Sequence, residues 1–188
     1  MLKYKIATQP TVEPITLAEA KLHCRVTGTT DDTLITRLIS AARVYAEGAI
    51  GKALAAKTVT AVCDSFPASG VIRLPVSPIT ALTSLKYKDK DGAETDITTD
   101  VITDDFSHPS QLLLKTDLSW PTATLYQVNP ITIVYAAGAT PTDNIKAAML
   151  LLIGHWYENR EEVIVGQESF TVPFAADALL QQERHGLT

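Results

Sequence analysis

The run of residues from Thr140 to Glu162 constrains the fold more than any other part of the sequence. Its apolar residues recur at the three- and four-residue spacing of an α-helix, so one face of this helix is expected to be buried. These residues are Ile145, Ala148, Met149, Leu152, Ile153 and Trp156. Leu150, Leu151 and Tyr157 are also apolar but lie off that face, so the helix needs cover on more than one side. In a chain of 188 residues, some of that cover is expected from a second copy, which indicates an assembly protein rather than an enzyme.

The composition is that of a globular protein with one domain, or with one domain that carries an insertion. Hydrophobic residues make up 46% of the chain and charged residues 20%, which indicates a folded core. The net charge of -5 argues against a general nucleic-acid binder, because such proteins are usually basic. An acidic surface is nevertheless compatible with DNA sliding past, because it repels phosphate. The first ten residues lack a signal-peptide core and no run is long enough to span a membrane, so we expect a protein made and kept in a cytoplasm.

Two helices are predicted before residue 52. Thr16 and Glu19 fit a capping box, which starts a short helix that runs to about Cys24. A second helix is expected between the acidic residues after Thr30 and a C-terminal cap at Gly51. Its buried face is predicted to comprise Leu34, Ile35, Leu38, Ile39, Ala41, Ala42, Tyr45, Ala46 and Ala49.

From Lys57 onward the apolar period changes from helical to two, which predicts strands. The Asp91-Gly92 pair predicts a hairpin turn between two of them. The expected strands lie around Val59–Cys63, and at Val71–Leu74, Leu82–Lys88, Glu94–Thr98, Val101–Thr103, Gln111–Lys115 and Ile131–Ala136. After the long helix, a last short helix is expected at Ala178–His185, capped by Asp177.

This order of elements predicts an α+β fold. Two N-terminal helices and one long C-terminal helix would form a helical bundle with an inserted small antiparallel β unit and an extended C-terminal arm. The expected boundaries are 1–56 and 138–162 for the helical body, 57–137 for the β unit and 163–188 for the arm. The arm either docks on a neighbouring molecule or is a weakly ordered end, and the sequence leaves both alternatives open.

No residue pattern indicates a catalytic site, a cofactor or a metal. His155 and Glu158 lie three apart on the long helix but do not form the two-histidine zinc motif, so we interpret them as an interfacial histidine and a solvated acid. A hydrolase built on this pair would require bound metal. The two cysteines, Cys24 and Cys63, are interpreted as buried small hydrophobic residues, although spacing alone leaves a disulfide open.

The acidic residues around the predicted hairpin lack the spacing of a calcium loop and are expected to form a solvated rim. In a ring of subunits this rim would help to line a channel. The candidates are Asp89, Asp91, Glu94 and Asp96.

Candidate contacts with other subunits lie at the end of the long helix and beyond it. Aromatic residues and arginine are enriched in interface cores, which favours Trp156, Tyr157, Arg160 and Glu161. Trp156 alone could equally fill the core of the monomer. The apolar residues of the arm complete the set: Val163, Phe170, Phe174, Leu179 and Leu180.

Several segments together resemble the head–tail connector, or adaptor, proteins of tailed bacteriophages, in particular the branch associated with a possible role in DNA packaging. The most specific of them is Ala147–Val163, with its His-Trp-Tyr-Glu-Asn-Arg-Glu core. The others are Pro14–Lys21, Leu34–Tyr45, Pro75–Tyr87 and Ser119–Pro121, so that the resemblance covers most of residues 14–163.

The resemblance implies a non-enzymatic virion protein of the neck, between capsid and tail, without a cofactor. It implies a homo-oligomeric ring, commonly of twelve copies, bound beneath the portal protein, often through the C-terminal segment. The ring would extend the channel for genomic DNA and hold the next connector, a stopper or a tail-completion protein. The alternative is a packaging accessory that contacts DNA or the packaging motor directly. That role needs a basic patch, and Lys86, Lys88 and Lys90 form the only dense cluster.

Overall fold

The chain folds into two units, each built from segments that are distant in sequence. The computed structural model describes residues 2–159 and 174–184. Unit 1 combines Met1–Thr11 with Ala55–Ala139, and unit 2 combines Val12–Leu54 with Thr140–Thr188.

Unit 1 is a β structure in which every strand pairing is antiparallel. Its strands are β1 (Lys3–Thr8), β2 (Lys57–Cys63), β3 (Val71–Arg73), β4 (Ile79–Lys88), β5 (Glu94–Asp96), β6 (Val101–Asp104), β7 (Gln111–Leu114) and β8 (Ile131–Ala137). Five strands form one sheet in the order β1-β2-β8-β4-β5, and the other three form a second sheet in the order β3-β7-β6. The strands predicted after Lys57 are all present, with boundaries shifted by up to three residues.

The core of the five-stranded sheet follows from the alternation of side chains along a strand. In β2 and β8 every second residue is buried, and the register places Val59 opposite Tyr135 and Ala61 opposite Ile133. The Tyr135 ring is fully buried, and its hydroxyl oxygen accepts a hydrogen bond of 3.1 Å from the backbone N–H of Val76.

The hairpin predicted at Asp91-Gly92 is confirmed. Strands β4 and β5 pair with Lys88 opposite Glu94, and Gly92 has a φ of 84°. This left-handed conformation is one that glycine adopts without steric cost, which explains why this turn forms here.

Strand β1 corrects the prediction for the N-terminal segment. Lys3–Thr8 pairs with β2 at the edge of the sheet, so this segment belongs to the β unit and not to a helical body over 1–56. The β unit is therefore not a simple insertion. Since most β1 side chains are exposed, the strand is held by backbone hydrogen bonds and carries no apolar alternation for a sequence pattern to reveal.

The described part of unit 2 contains four helices: α1 (Leu17–His23), α2 (Asp32–Ile50), α3 (Asp143–Glu158) and α4 (Phe174–Glu183). Helices α2 and α3 contact each other, and α1 and α4 each contact both of them. The capping box of Thr16 and Glu19 and the cap at Gly51 are confirmed, and Thr142 caps α3 by accepting from the backbone N–H of Ile145. Within residues 2–159 and 174–184, no helix has the length and apolar content needed to cross a membrane.

The fourth helix differs from the prediction for the C-terminal region. It begins at Phe174 rather than at Ala178, and Asp177 lies in its first turn rather than at its cap. Ala176 and Leu180 are buried in the core of unit 2, so this part of the expected arm packs on its own unit. The α+β class with antiparallel sheets agrees with the prediction, but the bundle has this additional helix. The other residues of the arm, 163–173 and 185–188, lie outside the described residues.

The buried face of α2 is rotated from the predicted one. The buried residues are Ile35, Ile39, Ala42, Arg43, Ala46 and Ile50. Ala41, which was predicted to be buried, is exposed. The prediction failed because small and apolar residues nearly encircle α2, whereas the buried arginine is a polar residue that no hydrophobic period would select.

Candidate assembly interface

Trp156 is held near the end of α3 by an aromatic contact within unit 2. Its ring meets the ring of Tyr45 edge-on, with centroids 6.2 Å apart and planes at 82°. The Tyr45 hydroxyl donates a 2.9 Å hydrogen bond to the carboxylate of Asp177. Burial, and then this hydrogen bond, raise the pKa of Tyr45, so the hydroxyl keeps its proton. Both rings are partly buried against the helical core.

Tyr157, the next residue along α3, points to a different part of unit 2. Its hydroxyl donates a hydrogen bond to the carboxylate of Asp31, just before α2 begins. The side chain is therefore half-buried and tied to its own unit. A contact between Tyr157 and another subunit stays a prediction.

A shallow groove, largely open to solvent, lies on the outer surface of α2 beside Trp156. Its volume is about 590 Å³, and its lining is almost entirely apolar. The lining residues are Arg37, Ser40, Ala41, Val44, Tyr45 and Trp156, and they define what we call the α2 groove. Val44 has 58% of its surface exposed, which is high for a valine in the middle of a helix. Because these apolar side chains lie next to one another, the groove is a candidate contact surface.

Most of the α2 groove was missed by the sequence interpretation, which singled out Trp156 but assigned Ala41 and Tyr45 to the buried face. The available signal was the spacing of Arg37, Ala41 and Val44, which recur four and three residues apart and so share one helix face. Sequence alone cannot tell such a stripe from a core-facing one.

The other interface candidates are distributed unevenly. Phe174 opens α4 with 88% of its surface exposed, and Leu179 is partly buried. Leu180 is 1% exposed, so it belongs to the core and is not available to a partner. It was misassigned because Ala176 and Leu180, four residues apart, form the core-facing stripe of a helix that was expected to be an arm. Arg160, Glu161, Val163 and Phe170 lie outside the described residues.

The acidic residues of the hairpin are engaged in local hydrogen bonds and ion pairs. The Asp89 carboxylate accepts from the backbone N–H groups of Asp91 and Ala93, both at 3.0 Å, and so holds the turn. Lys90 pairs with Asp91 at 2.7 Å, and Lys88 pairs with Glu94 at 3.3 Å.

The last of these acids, Asp96, caps the segment that follows β5. Hydrogen bonds from the side chain and backbone of Thr98 lower the pKa of Asp96, so it stays ionised. The four acidic residues therefore stabilise the hairpin and its flanks. Their role in lining a channel stays a prediction.

The described residues do not bring a set of metal ligands together. Over residues 2–159 and 174–184, no group of three or more histidine, cysteine, aspartate or glutamate side chains is placed to hold a metal ion. His155 lies beside the amide of Asn159, with 3.3 Å between the two nitrogens, and Glu158 is exposed. Cys24 and Cys63 are both free thiols, and burial raises the pKa of each.

Arg43 is a buried charge that the sequence interpretation did not identify. Its guanidinium pairs with Glu13 at 2.7 Å and with Glu47 at 3.1 Å. The second Glu47 oxygen accepts from the backbone N–H of Leu54 at 2.9 Å. This network fixes the segments that enter and leave α2, and thereby the helix that carries the groove.

Comparison with known proteins identifies a sequence family. The family model described as phage gp6-like head-tail connector protein matches residues 14–109. A comparison with curated proteins finds no match.

Three solved structures share the fold over nearly the whole chain. One is described as the neck of an empty GTA particle computed with C6 symmetry: it has a TM-score of 0.75 and 23% identity, and the match covers 98% of this chain and 95% of the other. The second, from the virion of a native gene transfer agent (GTA) particle, has a TM-score of 0.75 and 21% identity, with 96% and 94% covered. The third, the neck of a native GTA particle computed with C12 symmetry, has a TM-score of 0.70 and 21% identity, with 98% and 94% covered.

Proposed function

Because the chain belongs to the phage gp6-like head-tail connector protein family, we propose that it is a structural connector of a phage or phage-like virion. It is made in the host cytoplasm and works in the neck, between capsid and tail. Its role is to hold components together rather than to catalyse a reaction. The observation that carries this proposal is the family match over residues 14–109.

In this proposal the copies form a ring of twelve beneath the portal protein and extend the channel for genomic DNA. The opposite face of the ring receives the next connector, a stopper or a tail-completion protein. Two features support a ring. The described residues of the single chain leave the apolar surface of the α2 groove uncovered, and the solved structures that share the fold include necks computed with C6 and C12 symmetry.

The charge of the chain supports passage of DNA rather than binding. The net charge is -5, and the hairpin lysines Lys88 and Lys90 are paired with neighbouring acids. A wall with this balance repels phosphate, so DNA slides along it.

The mass of the assembly tests the proposal. We expect the purified full chain to be monomeric or weakly associated, and to form a stable ring when the portal protein of the same virion is added. Sedimentation velocity with and without portal, followed by imaging of the particle neck, measures both states. A chain that stays monomeric with portal and is absent from the neck density would overturn the proposal.

Binding to duplex DNA separates the connector from a packaging accessory. We expect no shift of duplex DNA mobility at low salt, because two lysines of the cluster, Lys88 and Lys90, are paired with neighbouring acids. A shift that weakens as salt rises would instead support direct DNA contact.

A further inference from the structure

The outer stripe of α2 is lined by residues that leave room for another molecule. Arg37, Ala41, Val44 and Gly48 recur at intervals of four, three and four residues, so they share one helix face. Ala41 and Gly48 are small and exposed. Gly48 therefore lies on the same exposed helix face as the α2 groove, one helical turn beyond Val44.

Packing against the described residues of unit 2 does not require a glycine at position 48. Among residues 2–159 and 174–184, a Cβ placed on Gly48 meets no atom within 4 Å, whereas a Cβ on Gly154 of α3 meets the His23 ring at 3.1 Å. Glycine is less favourable than alanine in a helix, and the open space above Gly48 allows another molecule to approach the helix closely. At Gly154, by contrast, the nearby His23 ring of the same chain accounts for the glycine.

A second exposed surface lies on α1. Leu22 has 81% of its surface exposed, and Ala18 and Glu19 occupy the preceding turn of the same face. These three residues define what we call the α1 ridge. Hydrogen bonds from the side chain and backbone of Thr16 lower the pKa of Glu19, so the ridge carries a fixed negative charge.

The groove and the ridge both expose apolar side chains and carry opposite charges. The groove is shallow and mostly apolar with Arg37 as its charged residue, whereas the ridge presents a leucine beside a carboxylate. No carboxylate within residues 2–159 and 174–184 pairs with Arg37. The groove is lined by residues of α2 and α3 alone, so α1 of the same copy does not fill it.

We propose that the α2 groove of one copy receives the α1 ridge of a second copy, with Leu22 over Ala41 and Glu19 near Arg37. The inference rests on the ring of the proposed function. A ring is built from head-to-tail contacts, and each such contact needs two different surfaces on every subunit. The groove and the ridge supply one such pair, so the same contact repeats from copy to copy.

Self-association of the full chain tests this contact. Ala41→Glu and Leu22→Asp each place a carboxylate in the proposed contact, and we expect each to weaken association of chains on the portal by at least tenfold in sedimentation velocity. The residues are exposed, so the fold should persist, as checked by circular dichroism. Phe106→Asp is the matched control: Phe106 is 99% exposed in unit 1 and belongs to neither surface, so this variant should assemble like the unaltered chain.

Gly48→Ala tests the contact in a second way, because a purely structural role of Gly48 would not make stability and assembly change in opposite directions. We expect a higher unfolding midpoint, because alanine favours the helix, together with weaker assembly, because the methyl group enters the contact. A rise in both stability and assembly would count against the inference.

Cross-linking identifies the occupant of the groove. Chains with Leu22→Cys and chains with Ala41→Cys, both carrying Cys24→Ala, should form a disulfide-linked pair on mild oxidation, in higher yield than either chain alone. If rings form but the groove and ridge variants assemble normally, this inference is overturned and the connector role stands. If the groove variants lose portal binding but keep self-association, the groove takes the portal instead, which also overturns it. If no ring forms even on the portal, the proposed function fails as well.

Discussion

Arg43 shows how a single buried charge organises unit 2. The side chain is 4% exposed and pairs with Glu13 and Glu47, which are themselves largely covered. Loss of the guanidinium would leave two carboxylates close together without a cation, and removal of one partner from a buried pair is strongly destabilising.

We therefore expect Arg43→Ala to lower the free energy of unfolding by about 3 kcal/mol, as measured by urea denaturation. Arg37→Ala is the matched control, since Arg37 is exposed on the same helix. It should change stability by less than about 0.5 kcal/mol. Equal effects of the two substitutions would mean that the Arg43 network does not hold α2 in place.

Tyr135 makes the stability of unit 1 depend on pH in the alkaline range. Burial raises the pKa of Tyr135 to about 12 from an ordinary value of 10.0. Between these values the unfolded chain loses the phenolic proton while the folded chain keeps it, so the free energy of unfolding falls as pH rises. The stabilisation is fully present below pH 10 and its loss reaches about 3 kcal/mol near pH 12.

Tyr135→Phe checks this dependence. The variant should lose about 1 kcal/mol at pH 8, because the Val76 N–H loses its acceptor, and it should destabilise less steeply than the unaltered chain above pH 10. The measurement is urea unfolding of both chains between pH 8 and 11.5. Parallel curves for the two chains would show that Tyr135 is not the group responsible.

Among the elements, α4 departs furthest from what the sequence suggested. Leu180 is buried in the helical core, and the Tyr45–Asp177 hydrogen bond ties the first turn of α4 to α2. At its other end, the Glu183 carboxylate accepts from Thr142 at 2.9 Å. The helix is therefore a fixed part of unit 2.

We expect Leu180→Ala to lower the free energy of unfolding by about 3 kcal/mol, because it empties a packed site. Phe174→Ala, in the exposed first turn of the same helix, should cost less than about 0.5 kcal/mol. Thermal or urea unfolding followed by Trp156 fluorescence compares the two. A small effect of Leu180→Ala would restore the interpretation of α4 as a loosely attached arm.

The elements that local chemistry specifies were predictable from sequence. The capping box at Thr16, the Asp91-Gly92 turn and the period-two strands each depend on residues that are close in the chain. Strand β1 and helix α4 were misjudged because tertiary partners determine them: β1 is stabilised by the edge of β2, and α4 by the helical core.

The candidate interface was only partly predictable, for a related reason. Aromatic character singled out Trp156 and Tyr157, but only the packed structure shows that Tyr157 is bound to Asp31 and that Ala41 faces outward. The sequence pattern of an apolar residue is the same whether its side chain faces the core or a partner molecule.

At the scale of the whole molecule, each unit contains one tryptophan: Trp120 in unit 1 and Trp156 in unit 2. Trp120 stacks on Phe66 at 4.8 Å, and Trp156 meets Tyr45. Phenylalanine at either position preserves an aromatic ring for these contacts. The Trp120→Phe variant then has Trp156 as its fluorescent reporter of unit 2, and the Trp156→Phe variant has Trp120 as its reporter of unit 1.

With these reporters, deletion of residues 2–9 should destabilise unit 1 by about 2 kcal/mol, because β2 loses the backbone hydrogen bonds that β1 supplies. The unfolding midpoint reported by Trp120 should fall, while that reported by Trp156 should stay within error. An equal fall of both midpoints would show that the two units unfold together.

The path of the chain between the units also governs when a newly made molecule is ready. The chain passes from unit 1 to unit 2 after Thr11, returns at Ala55 and leaves again after Ala139. On the ribosome, β1 must wait for β2, the sheet cannot close before β8 has emerged, and α2 stays uncovered until α3 and α4 follow. A nascent chain therefore presents no finished helical unit to a sibling chain until α4 has left the ribosome.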